Sequence, residues 1–109
     1  MKEFVDCQRF FETGVCQGTI DETVIQNQKA LAVIEYSVEK LDSYKFVKIY
    51  GTDSSGNKQE GYINDLDGNL YECYEVSTDN GFEIYVYDVR QLTLNMNWKC
   101  TWTVECKLD

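Results

Sequence analysis

The chain has no histidine and no proline among its 109 residues. Without histidine, nucleophilic catalysis through a Ser–His or Cys–His pair has no base, and a mixed Cys/His zinc site has no imidazole. Without proline, no helix or strand carries a forced break. No apolar run approaches the ~20 residues that cross a bilayer as a helix. The opening Met-Lys-Glu-Phe-Val-Asp-Cys also lacks the apolar stretch of a secretory signal, so a cytoplasmic protein is expected. The seven glycines are isolated, and no phosphate-cradling loop or dinucleotide fingerprint can be drawn.

Positive charge is missing from a whole segment. The 31 residues from Gln59 to Val89 hold no Lys or Arg but eight acids: Glu60, Asp65, Asp67, Glu72, Glu75, Asp79, Glu83 and Asp88. The rest of the chain is nearly balanced, so most of the net charge of −9 arises here. Five of the eight tyrosines lie in the same segment: Tyr62, Tyr71, Tyr74, Tyr85 and Tyr87. A field of one sign steers partners of the opposite sign, and tyrosines supply rigid, amphipathic contact area. Direct nucleic-acid binding is disfavoured, because it needs Lys and Arg to neutralise phosphates. An anionic membrane surface is disfavoured for the same reason. The partner this charge suits is a basic protein.

Five cysteines, Cys7, Cys16, Cys73, Cys100 and Cys106, are an odd number with no zinc-ribbon spacing. They read as free thiols used as small hydrophobes, and no metal or other cofactor is expected. Asp65-Leu66-Asp67-Gly68-Asn69 looks like the start of a calcium loop, but its glycine falls at the fourth position and the twelfth is Val76. An EF-hand needs glycine at the sixth and glutamate at the twelfth, so a hairpin turn is the better account.

From Leu92 to Leu108 every even position is apolar and every odd position polar. That is the period of a strand with one buried face. A straight strand of this length would span roughly 55 Å, so a bend or bulge near Asn95–Asn97 is predicted, with Trp98 and Trp102 in the core. Upstream, Asp53–Asn57, Asp67-Gly68-Asn69 and Asp79-Asn80-Gly81 are turn signals. They separate strand candidates Tyr44–Tyr50, Glu60–Asn64, Leu70–Ser77 and Phe82–Val89. In the last, Phe82, Ile84 and Val86 form one face, and Glu83, Tyr85 and Tyr87 the other. The N-terminal part reads as helical. Phe4, Cys7, Phe10 and Phe11 recur at helical spacing before Gly14. Asp21 can cap a second helix with Val24, Gln28, Leu31, Ile34, Val38 and Leu41 along one stripe, although Ala30–Val38 also alternates as a strand. The expectation is one α+β domain over residues 1–109. One or two N-terminal helices would pack on an antiparallel β-meander of four to five strands.

In size, acidity and the composition of Gln59–Val89, the chain resembles the small phage-encoded inhibitors of host nuclease defence, including anti-CRISPR proteins and DNA mimics. It also resembles the immunity proteins that neutralise nuclease toxins. The resemblance is one of general character. It implies a non-catalytic inhibitor that blocks the basic groove of a nuclease or nucleic-acid-guided effector. Glu72, Glu75, Glu83, Tyr85 and Tyr87 are the expected contacts on neighbouring strands, with Asp65, Asp67 and Asp79 reaching from turn tips. The alternative is a structural domain that forms a homodimer or larger assembly through its amphipathic C-terminal strand. An enzyme ranks third. It would need carboxylates that converge in a cleft.

Overall fold

The C-terminal strand is the innermost element. The computed structural model describes residues 9–36 and 44–107. In it, strand β8 (Asn97–Lys107) is paired along its whole length by β1 (Arg9–Thr19). Its other edge is shared by β3 (Tyr44–Thr52) and then β5 (Tyr62–Asp65). Strand β4 (Lys58–Glu60) hairpins back on β3. Strand β6 (Leu70–Thr78) pairs with β5 through Leu70–Glu72 and, from Cys73 onward, with β7 (Gly81–Val86). Strand β2 (Ala32–Glu35) completes the order on β7. Every pairing is antiparallel.

Strand β6 therefore leaves one sheet and enters another. The second sheet, β2-β7-β6, folds over the first. The Phe82 ring from β7 meets Trp102 of β8 edge-on at 5.4 Å between ring centres, an arrangement the ring quadrupoles favour. Between the layers lie Ile49, Ile63, Cys73, Phe82, Ile84, Val86, Trp98, Cys100, Trp102 and Val104, all buried.

Trp98, Cys100, Trp102 and Val104 of β8 face this core, as the alternation from Leu92 predicts, and the run bends where the length argument places it. Asn95 takes a left-handed conformation (φ 69°), and the Met96 N–H closes a turn onto the Thr93 carbonyl at 3.0 Å. The bend leaves Leu92 buried but turns Leu94 out to solvent.

The expected α+β architecture is overturned. The structure is an all-β fold, and among the described residues its one α-helix is α1, Glu22–Asn27, followed much later by a single 3₁₀ turn at Val89–Gln91. Asp21 caps α1 as predicted, its carboxylate accepting the Val24 N–H at 3.1 Å. The helix then stops early. Gln28 turns left-handed (φ 53°, ψ 44°) and its N–H returns to the Val24 carbonyl. A helix this short gains little beyond its nucleation cost. The segment after it is captured by β7: Ala32 and Ile34 stand opposite Ile84 and Phe82, and the Leu31 N–H reaches the Ile84 carbonyl at 2.7 Å. Cross-strand pairing and core burial outweigh helix propensity here. Val38 and Leu41 of the expected stripe lie outside the described residues, as do Phe4 and Cys7 of the first expected helix.

Nor is Gly14 a helix stop. It is a strand residue of β1 that stands opposite Trp102, as Gly18 stands opposite Trp98. A Cβ on Gly14 would lie 2.6 Å from the Trp102 indole, and one on Gly18 would lie 3.2 Å from that of Trp98. The two indoles lie over β1 in the space the missing side chains leave, with Cys16 opposite Cys100 between them. Among the described residues, no helix is long and apolar enough to cross a membrane.

The glycine–indole contacts set an order of costs. Gly14→Ala is expected to lose about 1–3 kcal/mol of stability through overpacking. Gly18→Ala should lose less, because its added methyl group has more room. Urea denaturation of the two variants checks the order. Equal losses would show that the indoles do not set the cost.

Candidate functional site

Alternation along β6 and β7 sorts the acidic segment into two faces. On β7, Phe82, Ile84 and Val86 are buried, while Glu83 and Tyr85 are half-buried on the opposite face. Opposed residues of an antiparallel pair share a face. Tyr85 is opposed by Tyr74, and Glu83 by Val76 on one side and Val33 on the other. The outward face of the second sheet thus carries Val33, Glu35, Glu72, Tyr74, Val76, Glu83 and Tyr85, with Tyr87 just beyond the end of β7. Strands β2, β6 and β7 contain no Lys or Arg.

The tyrosines form one cluster. Tyr74 stacks on Tyr85 at 5.4 Å between ring centres with planes 13° apart, and it meets Tyr87 at 4.7 Å. The Tyr85 hydroxyl donates to Glu83 Oε1 at 2.8 Å. That bond raises the phenol above its usual range and fixes a carboxylate beside an aromatic ring. Tyr74, Tyr87, Val33 and Val76 remain exposed. An aromatic face with a carboxylate at its edge is the surface a guanidinium recognises, by stacking and by charge-assisted hydrogen bonds.

The predicted contacts divide accordingly. Glu72, Glu83, Tyr85 and Tyr87 come together on this face, and Asp79 sits exposed at the tip of the β6–β7 hairpin. Glu75 falls on the reverse side of β6: it is opposed by Ile84 and points the way Cys73 points, yet it is exposed. Asp67 is exposed in the β5–β6 turn, beside the first sheet. The remaining acids lie elsewhere. Glu60 is on the first sheet. Asp88 is held by Arg90, whose Nε and second guanidinium nitrogen lie 2.9 and 3.2 Å from its two oxygens. Tyr74 and Val33 were missed by sequence reasoning. Tyr74 shares the phase of Glu72, a signal that was available. Val33 carried none while its segment read as helix.

Asp65 does different work from the one expected. It is buried, and its carboxylate holds the β5–β6 turn together. Oδ1 accepts the N–H groups of Asp67 and Asn69, both at 2.9 Å. Oδ2 accepts Asn69 Nδ2 and the Tyr71 hydroxyl, both at 3.0 Å. Burial alone would raise this carboxyl, but the hydrogen bonds from Asn69, Tyr71 and the Asp67 N–H outweigh it and hold it below the usual carboxylate range. Asp53 plays the same part in the β3–β4 turn, accepting from Ser55 and Asn57 N–H. Asp53, Asp65 and Asp67 line one shallow groove of ≈ 400 Å³ with Lys99. Asp65 already accepts four hydrogen bonds from its own turn and Tyr71, and Asp53 accepts three, the third from Gln59 Nε2 at 3.3 Å.

Among the described residues, Cys73 and Cys100 are buried and free. Burial, with the neighbouring Glu75 and Glu72 carboxylates, pushes the Cys73 thiol up to about 12, so it stays protonated and poorly nucleophilic at neutral pH.

No family model matches the chain, and neither a curated protein nor a solved structure matches it.

A carboxyl whose folded pKa is depressed contributes stability in full above its unfolded value, and loses it as pH falls through the folded value. Asp65→Ala is therefore expected to cost roughly 1–3 kcal/mol at neutral pH, by leaving the part-buried donors of its turn without their acceptor. It should also flatten the acid limb of the stability–pH curve below about pH 4. Thermal denaturation from pH 7 to pH 2 measures both. An unchanged acid limb would show that Asp65 is not the responsible group.

Proposed function

We propose that this chain is a non-catalytic, cytoplasmic binding protein that takes an arginine-bearing surface of a basic protein onto the outward face of β2-β7-β6. One observation carries the reading: Tyr74, Tyr85 and Tyr87 cluster with Glu83 on a face whose strands hold no base. The aromatic planes and exposed valines supply the contact energy. Glu72 and Glu83 speed association and select for positive charge. The cationic cleft of a nuclease or nucleic-acid-guided effector is the partner surface of this chemistry, and occupying it inhibits the partner.

The distribution of the acids narrows the mechanism. An extended phosphate mimic needs many carboxylates in one row. Here Asp65 is consumed by its turn, Asp88 by Arg90, and Glu60, Asp67 and Glu75 lie off the face. Recognition is therefore local and tyrosine-centred. The second reading expected from sequence, assembly through the C-terminal strand, has less support, because both edges of β8 are hydrogen-bonded within the chain.

Glu75 and Glu83 sit on opposite sides of the same sheet, which makes them a matched test. Glu83→Lys and Tyr87→Ala are each expected to weaken capture of the basic partner, recovered from host lysate at low salt, by at least about tenfold, the scale of a lost interfacial anchor. Glu75→Lys should change affinity by less than about twofold, as rim charges do. In parallel, NMR titration with an arginine-rich peptide should shift the Tyr74, Tyr85 and Tyr87 resonances. Equal losses from the two charge reversals would place the interface elsewhere.

A further inference from the structure

Three free thiols converge inside the molecule. Cys16, Cys73 and Cys100 are unbridged, and β1 sets Cys16 directly opposite Cys100. Cys16 packs against the core from β1, in the stretch between the two glycine–indole contacts. Cys73 approaches from β6, close enough for its charge to act on Cys100.

The backbone holds Cys16 and Cys100 at bridging distance. The Ile20 N–H bonds to the Met96 carbonyl, which continues the register Gly18–Trp98 and Cys16–Cys100. Hydrogen-bonded pairs alternate along an antiparallel ladder, so Cys16 and Cys100 form such a pair, with Cα atoms about 5.5 Å apart. A disulfide spans roughly 4.4–6.8 Å between Cα atoms. The Cys100 sulfur also lies within hydrogen-bonding reach of the Cys16 N–H, so it is turned toward β1. The two thiols differ in access. Cys100 is 1% exposed. Cys16 is half-buried, on a strand whose one strand partner among the described residues is β8.

We propose that Cys16 and Cys100 form an oxidative modification site, which hydrogen peroxide closes into a cross-strand disulfide that ties β1 to β8. The chemistry takes two steps. First, the Cys16 thiolate attacks one peroxide oxygen. An S–O bond forms, the O–O bond breaks, and the leaving hydroxide takes a proton to become water. Cys16 is then a sulfenic acid. Next, the Cys100 sulfur attacks the Cys16 sulfur. The S–S bond forms, the S–O bond breaks, and the departing hydroxide takes the Cys100 proton as a second water. The two thiols give up two electrons, and one peroxide is reduced to two waters. Burial holds both thiols above their ordinary value, so little thiolate is present at neutral pH and the first step is slow. The second step is intramolecular between opposed residues, which offsets the weak acidity of Cys100. In a reducing compartment a bridge of this kind is transient and reports redox state. The site shares no residue with the tyrosine face, so it stands or falls separately from the proposed function.

Hydrogen peroxide added to the folded full chain tests it. After digestion without reductant, the peptide carrying Cys16 is expected to be joined to the peptide carrying Cys100, and dithiothreitol should separate them. Cys100→Ala removes the resolving thiol. In that variant Cys16 should accumulate as the sulfenic acid, trapped by dimedone, to at least about tenfold the wild-type level. Cys16→Ser should leave Cys100 as a thiol. The same treatment in urea should scatter the links among all five cysteines, which separates folded geometry from random pairing. If Cys100→Ala fails to fold, the wild-type map and Cys16→Ser decide. A folded wild type in which Cys16 and Cys100 stay as thiols, in which Cys16 is joined to another cysteine, or whose links match the urea pattern overturns the proposal.

Discussion

The fold depends on one interlock. Strand β8 brings Trp98 and Trp102 to the core face, and β1 answers with Gly18 and Gly14, so the indoles lie over backbone rather than over side chains. The remaining structure is arranged around that seam. Strands β3 and β5 take the other edge of β8, β6 turns the corner into the second sheet, and Phe82 comes back to meet Trp102. A Cβ at Gly14 would have to push β1 and the Trp102 indole apart, and one at Gly18 would crowd Trp98 less. That loses contact with the largest apolar surfaces in the molecule, and interiors tolerate such gaps poorly.

The acidic segment serves several purposes at once. Some of its carboxylates are internal tools: Asp65 saturates the donors of a turn, and Asp88 holds Arg90. Others sit where the sheet offers them to solvent, beside stacked tyrosines. The outward face of the second sheet is the surface we propose for a cationic partner.

Much of the β-structure was legible. The alternation from Leu92, the bend near Asn95, the three turn signals and the outward placement of Glu83, Tyr85 and Tyr87 all derive from period-2 patterning and turn chemistry. Cooperation between distant segments was not legible. Gly14 read as a helix stop because glycine usually marks one, and its role beneath an indole needs a strand more than eighty residues away. Ala32–Glu35 read as helix because its apolar spacing fits both periods, and only the open edge of β7 decides between them. Asp65 read as a surface contact because a turn acid is usually exposed. Its burial depends on Tyr71 and Asn69 folding back onto it.

By itself, the sequence determined that the latter half of the chain is extended, where its three signalled hairpins turn, which faces of those strands are apolar, and that histidine is absent, since those properties are local to a few neighbouring residues. Tertiary structure decided which strand became central, which glycines are packing partners, and which acids share a face. Those outcomes depend on register between strands far apart in the chain. A shift of one residue in register moves every side chain of a strand to the opposite face.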